Sequence, residues 1–478
     1  MKRTLLFGAF VLAAMSVSAQ GNDLQIIEDD EAKTAMVTYR VDKNGNRISN
    51  SYSGDVVIPD YSPKGYPVTA IKDNTFEGCK DLKSVKIGNK IKLIDKWAFY
   101  GCKSMVEVTI PASVDSIAEG AFSAMEALKK VTIADGTAIL RFDYGELYGG
   151  RGMFGYNQQV NLEEVYMGRS FKSPARLFGG SESLKRLTFG DRVDAIHDYE
   201  CSYCEVLESV TFGSGIKTIG FQAFRGCPLL KSIRLNNGLT SVAESAFQDC
   251  KAATTLVLPA TLKMIDKYAF YNCASVREVT IPASVDSIAQ GAFSAMEALK
   301  KVTIADGTAI LRFDYGEMYG GRGMFGYNQQ TALETAYVGR NFKSPAGLFR
   351  GNESLTTVFV GKNISQLHEQ DFAYCDNLTT IYAQPTTPPI CAANTFEGVD
   401  KEACTVFASQ SSLNTYKQAD VWKEFFNIAL TPTSIQAITN EGIASERATW
   451  YTTDGRRLNA ASTQPGLYIV NGRKVVIK

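Results

Sequence analysis

The sequence predicts a β-strand-rich solenoid, a stack of about fourteen coils sharing one parallel sheet. Phenylalanines recur in matching contexts at Phe76, Phe99, Phe122, Phe154, Phe178, Phe224, Phe247, Phe270, Phe293, Phe325, Phe349, Phe372 and Phe396, with Cys201 on the one vacant rung. The intervals are 23, 23, 32, 24, 23, 23, 23, 23, 23, 32, 24, 23 and 24 residues, too regular for unrelated elements of a globular enzyme. Each unit follows the pattern A-F-x-x-C-x-x-L-x-x-V-x-I, as in Ala98-Phe99-Tyr100-Gly101-Cys102 with Met105, Val108 and Ile110. The V-x-I pair has period two, so both branched side chains point to one face of a short strand. One coil cannot bury that face. Coils stacked about 4.8 Å apart can, with like residues piled into columns, which predicts a curved rod roughly 60 Å long.

Composition agrees. Of 478 residues, 45% are hydrophobic, enough for a packed core. Lys+Arg 50 against Asp+Glu 50 gives no positive stripe for phosphates, so nucleic acid is not expected as a partner. Two histidines leave little room for His-based chemistry. No Gly-rich phosphate loop follows a strand, and no Ser/His/Asp or paired-carboxylate constellation stands out, so no catalytic or cofactor-binding residue is assigned.

In chain order, residues 1–19 read as an export signal. Lys2 and Arg3 precede an apolar run from Leu5 to Ala14, and Val17-Ser18-Ala19 suits a signal peptidase. The run is shorter than the about 20 residues of a bilayer span, and no other segment is long and apolar enough, so the mature chain should carry no transmembrane segment. Residues 20–66 should form a small β cap, with strands at 35–41 and 55–59 around the Lys43-Asn44-Gly45-Asn46 turn. Asp42-Lys43-Asn44-Gly45 faintly suggests a calcium loop but lacks the downstream Glu, which leaves a hairpin turn.

The coils occupy residues 67–400, with a longer period laid over them. Residues 104–159 and 275–330 align at an offset of 171 with four differences, Met105/Val276, Val106/Arg277, Glu119/Gln290 and Leu147/Met318. The rod is therefore two similar halves of seven coils each. Each half has one long unit, and its extra residues must bulge outward because a stacked core has no room for them. Tyr144, Tyr148, Arg151 and Tyr156, and in the copy Tyr315, Tyr319, Arg322 and Tyr327, are thus candidate ligand contacts, since Tyr and Arg dominate binding hot spots. They would equally serve to cover the base of their own loop. The outward strand positions are the other candidate surface: Thr109, Thr132, Tyr166, Thr188, Thr211, Thr280, Thr303, Tyr337 and Tyr382 make a Thr/Tyr stripe. Thr and Tyr are also ordinary strand residues.

Seven of the ten cysteines, Cys79, Cys102, Cys204, Cys227, Cys250, Cys273 and Cys375, fall on one inward position and should be small buried apolar residues. Cys391 and Cys404 lie outside that column and are candidates for a disulfide. His197, Cys201 and Cys204 could pass for zinc ligands, but the copy has His368, Phe372 and Cys375, so no metal is assigned.

Residues 401–431 mix a strand with a helix and should close the rod, approached through Pro385, Pro388 and Pro389. Residues 432–478 differ in composition, and the Asp454-Gly455 and Asn471-Gly472 turns between alternating apolar residues predict a small β domain.

The repeated unit, with Pro at Ile110-Pro111, Leu258-Pro259 and Ile281-Pro282, resembles the leucine-rich repeats of BspA-like surface proteins of Bacteroidetes. It departs from them where Cys is replaced in the 32- and 24-residue units and where Cys201 stands for Phe. The resemblance implies a parallel sheet backed by an irregular or short helical side. It also implies a non-enzymatic adhesin that binds host extracellular-matrix or cell-surface proteins, or other microbes. The alternative is a glycan-binding protein of a polysaccharide-capture system, with loop tyrosines as stacking platforms. The tail resembles the C-terminal domain recognised by type IX secretion, which implies delivery to the outer surface; the other possibility is a plain β module.

Overall fold

The computed structural model describes residues 15–19, 22–143, 161–172, 176–314, 324–325, 332–344 and 347–432, and in the tail 450–452, 457–458, 466–470 and 473–477. It is a parallel β-solenoid of about fourteen turns. Each coil has three sides. A long strand such as Glu107–Ile110 alternates exposed and buried residues, placing Val108 and Ile110 inside. Pro111 follows; it has no N–H to give and ends the strand. A two-residue strand such as Ser116–Ile117 then forms a second ladder, with Ile117 inside. The expectation was one strand per coil. Two residues are too few to show a period, so the second ladder left no pattern to read.

The third side is the ridge around each Phe. It is not a strand, yet it is bonded coil to coil: the Phe76 N–H donates to the Ala98 carbonyl at 2.7 Å and that of Gly78 to Tyr100 at 2.7 Å. This geometry puts left-handed backbone two residues before and two after the Phe column. Trp97 (φ 52°) and Gly101 (φ 70°) flank Phe99, and Gln222 (φ 52°) and Gly226 (φ 69°) flank Phe224. Of the irregular and short helical sides implied by the resemblance, the irregular one is present. Among the described residues, regular helix is limited to Leu413–Tyr416 and a 3-10 turn at Trp422–Glu424.

The ridge's inward rings form the predicted column. From Phe224 to Phe396 eight rings stack without a break, with centroids 5.1 to 6.2 Å apart and planes within 20°. Cys201 leaves its rung without a ring, and Phe212 leans edge-on against Phe224 at 5.7 Å and Phe247 at 6.2 Å beyond it. The cysteines are inward, as expected, and they also have a polar task. The thiols of Cys102, Cys204, Cys227, Cys250, Cys273 and Cys375 each donate to the carbonyl at the Phe position of the preceding coil, at 3.1 to 3.4 Å. Burial pushes these thiols up, to about 12 for Cys204 and Cys375, so they keep the proton they donate.

The column begins earlier than residue 67. Gly54–Val57 pairs in parallel with Leu82–Lys86, and Thr34–Thr38 with Val68–Ile71, so the N-terminal segment already supplies a rung to both ladders. Tyr52 tilts at 60° to Phe76 with centroids 5.0 Å apart, and the Arg40 guanidinium lies over the Tyr52 ring at 4.8 Å. Asn22–Asp29 pairs antiparallel with Thr34–Thr38 and with Met15–Ala19, the end of the expected export signal. Asp42 is spent within its own turn, accepting from the N–H groups of Asn44 and Asn46 at 2.8 and 2.9 Å.

At the other end, Trp422 and Phe425 pack edge-on against Phe396 at 5.5 and 5.3 Å. The Trp422 indole donates to the Pro389 carbonyl at 2.9 Å, which ties the cap to the proline loop. Asn427–Leu430 pairs in parallel with Thr405–Ala408 as the last strand of the long ladder. In the tail, Trp450–Thr452, Arg457–Leu458, Gly466–Val470 and Arg473–Ile477 form an antiparallel sheet.

Candidate functional site

The long strands present their non-core positions outward as two columns. In the first half, Glu107, Lys130, Glu164, Arg186 and Ser209 lie side by side, next to Thr109, Thr132, Tyr166, Thr188 and Thr211. The first of these columns is charged, and its members pair across strands. Lys130 reaches Glu164 at 3.5 Å and Arg186 reaches it at 2.9 Å, and the Arg186 bond holds the Glu164 carboxyl below its usual range.

The second half starts alike, with Glu278 and Lys301 beside Thr280 and Thr303, and then changes. Its next four strands carry Thr335, Thr357, Thr380 and Thr405 in one column and Tyr337, Phe359, Tyr382 and Phe407 in the other. All four aromatic side chains are half-buried. Tyr337 tilts at 38° to Phe359 with centroids 6.5 Å apart; Phe359 and Tyr382 stack at 4.7 Å, and Tyr382 and Phe407 at 5.1 Å.

Tyr166 and Tyr337, both candidates from the sequence, occupy matching places in the two halves. Their hydroxyls donate to Asp135 at 2.7 Å and to Asp306 at 2.8 Å. The Asp135 bond raises the Tyr166 phenol; burial, with the Asp306 bond second, raises that of Tyr337, so both stay protonated donors. Of the aromatic stripe, sequence reasoning named Tyr337 and Tyr382 and missed Phe359 and Phe407, because an apolar ring reads as core. The usable clue was their place in Val358-Phe359-Val360 and Val406-Phe407-Ala408, where the alternation puts the middle residue outside.

The loop candidates Tyr144, Tyr148, Arg151, Tyr156, Tyr315, Tyr319, Arg322 and Tyr327 lie outside the described residues. The disulfide expected between Cys391 and Cys404 is not formed. All ten cysteines are free thiols, and burial pushes both of these up to about 12. Among the described residues, no group of three His, Cys, Asp or Glu is placed to hold a metal ion, and no helix is long and apolar enough to cross a membrane. What the outward columns of these last four strands offer chemically is apolar and aromatic contact edged by hydroxyls.

No curated protein matches the chain. Among solved structures, it is similar to a leucine-rich repeat protein from Bacteroides ovatus ATCC 8483, at 20% identity over 86% of this chain and 98% of the other, with a TM-score of 0.43. A leucine rich cell surface protein from Faecalibacterium prausnitzii A2-165 matches at 20% identity over 84% and 97%, with a TM-score of 0.32. The pneumococcal vaccine antigen PcpA matches at 16% identity over 88% and 96%, with a TM-score of 0.28. The family model for the BspA type leucine rich repeat region matches in six copies, over residues 62–142, 155–227, 194–313 and 330–420. Matched over more than half its length by that model, the chain belongs to the BspA type leucine rich repeat family.

Proposed function

We propose that the chain is an exported, surface-displayed solenoid that binds other macromolecules and mediates adhesion to host proteins, host cells or other microbes. Leucine-rich repeat solenoids of this family are typically non-enzymatic, and the family points generally to protein binding or adhesion. The observation that carries the reading is the outward stripe of Tyr337, Phe359, Tyr382 and Phe407 on four consecutive strands. Aromatic residues are over-represented in binding hot spots because they bring large contact area at low entropy cost. Many rungs on one rigid surface also give avidity from modest single contacts.

The test is direct. Purified chain should bind immobilised extracellular-matrix proteins or intact cells, and should be found on the outer surface on fractionation. Recovery only from the periplasm would reject surface adhesion. Deleting residues 432–478 should abolish surface delivery if that tail is the sorting signal; unchanged delivery would make it a plain β module.

A further inference from the structure

We infer that the two halves of the rod are not equivalent in recognition, and that the sheet face of the second half takes an uncharged polypeptide segment bearing aliphatic or proline side chains. This rests on the protein-binding reading above and specifies the partner's chemistry and the place of contact.

The internal duplication supplies a control within one chain. At the offset of 171, inward positions stay apolar: buried Leu187 matches buried Val358, and half-buried Val210 matches buried Ile381. The outward positions do not stay alike. Glu164, Arg186 and Ser209 correspond to Thr335, Thr357 and Thr380, and Thr188 and Thr211 to Phe359 and Tyr382. Packing of the coil acts equally on both halves, so it does not call for this difference. The first half shows that the same strands assemble with Thr where the second half has Phe359 and Tyr382.

Charge sets the partner's chemistry. Within the two outward columns of these four strands the second half has no ionisable residue except two tyrosines; the exposed Lys362 lies outside the columns, near the end of Thr357–Asn363, and the Tyr337 hydroxyl is committed to Asp306. A charged group set against these columns would lose its hydration and find no counter-charge within them. The stacking sets it further. Phe359 and Tyr382 stack at 16° and Tyr382 and Phe407 at 17°, so the inner rings spend their faces on each other and turn their edges to solvent. A sugar needs an open ring face, whereas methyl, methylene and pyrrolidine groups pack well against edges and the adjoining threonine methyls. Four rungs cover about 15 Å, the reach of about four or five residues of extended chain.

The experiment screens the full chain against an array of random peptides about twelve residues long and against a glycan array, and measures the selected peptides by calorimetry at about 50 and 500 mM NaCl. Selected peptides should be poor in charge and rich in aliphatic residues and proline, and their affinity should change by less than about twofold with salt. The double variant Phe359→Thr/Tyr382→Thr, which restores the first half's residues, should lose at least about tenfold in affinity. Arg186→Thr should lose none. Thermal melting checks folding, and Tyr382→Lys, which adds one charge at a half-exposed position, gives a second test should the double variant not fold. Selection of charged or salt-sensitive peptides, binding of glycans alone, self-association through the stripe, or equal loss in Arg186→Thr overturns the inference. Peptide binding that survives both stripe variants sinks the inference while the protein-binding reading stands; no binding to peptides, proteins or cells sinks both.

Discussion

Cysteine is chosen at its repeat position for more than size. A thiol there fills the volume of a small apolar side chain and also gives an S–H to a carbonyl of the preceding coil, which at Phe76, Phe178, Phe247 and Phe349 is a second bond beside the one from a turn N–H. Where the repeat lacks Cys, Asn352 reaches from the same position to the Phe325 carbonyl, which shows that the carbonyl is what is being served. Cys227→Ala should therefore lose both the bond to Cys201 and some packing, a cost of about 1–2 kcal/mol in urea denaturation. Glu200 is the opposite case, an acid in the core. Burial raises its carboxyl to about 8, and it accepts a bond from the Leu177 N–H at 3.1 Å. Since the folded state holds this proton more tightly than the unfolded one, stability should fall as pH rises from about 4.5 to about 8. Glu200→Gln should flatten that segment of a melting-temperature profile and be the more stable protein above it.

The long coils need a clamp, and an arginine supplies it. Arg169, fully buried, follows the strand Glu164–Met167 and reaches back two rungs to donate to the carbonyls of Ala112 at 3.0 Å, Pro111 at 3.3 Å and Val114 at 2.7 Å. Arg340 repeats this on Ala283, Pro282 and Val285 at 3.0, 3.1 and 2.7 Å. Each passes beneath a glycine of the intervening coil: a Cβ on Gly136 or Gly307 would stand 3.0 Å from the arginine Cδ. Arg169→Met should remove three bonds and leave the Ala112 and Val114 carbonyls unmet, Pro111 keeping the Val114 N–H, at a cost of about 2–3 kcal/mol, and Arg169→Lys should not restore it, because one ammonium cannot span the fork. Much of this architecture could be read in advance and some could not, for definite reasons. The Phe column and the V-x-I strands declare themselves by repetition. Arg169 does not, since Gly168-Arg169-Ser170 looks like a polar surface turn. Tyr52 was missed as the first ring because its unit carries neither Phe nor Cys, and Phe359 because the face of a ring follows from strand parity, not from its hydrophobicity. The loop tyrosines were nominated because solenoid insertions bulge, and that reasoning places a residue outside without saying what it touches.

Taken whole, the rod is closed at both ends by aromatic residues and joined along its length by two ladders that break at different points. The short ladder breaks between Phe171–Lys172 and Ala195–Ile196 and between Phe342–Lys343 and Gln366–Leu367, while the long one breaks between Leu82–Lys86 and Glu107–Ile110, between Ser209–Thr211 and Ser232–Arg234, and between Thr255–Val257 and Glu278–Ile281. At each break the other ladder is intact, so the two halves remain one stack. The end that matters most is the second, because Trp422 and Phe425 shield the terminal ring beside the aromatic stripe. Trp422→Ala should expose Phe396 and free the Pro389 carbonyl, and hydrogen exchange should rise first in the strands from Thr357 to Leu430, before the N-terminal coils respond.

Ten unbridged thiols spaced along one chain have a consequence for its history as well as its shape. Once packed, nine of them are buried and Cys391 is half-buried, which leaves them little reactivity, and reductant should leave the melting temperature unchanged. In the unfolded chain they become a string of near-identical partners with no cognate mate, so an oxidant present at that stage would weld arbitrary pairs and trap knotted species. Recovery after denaturation should then be near complete with dithiothreitol and poor in air, which makes the order of events, coiling before oxidation, the condition for obtaining this protein at all.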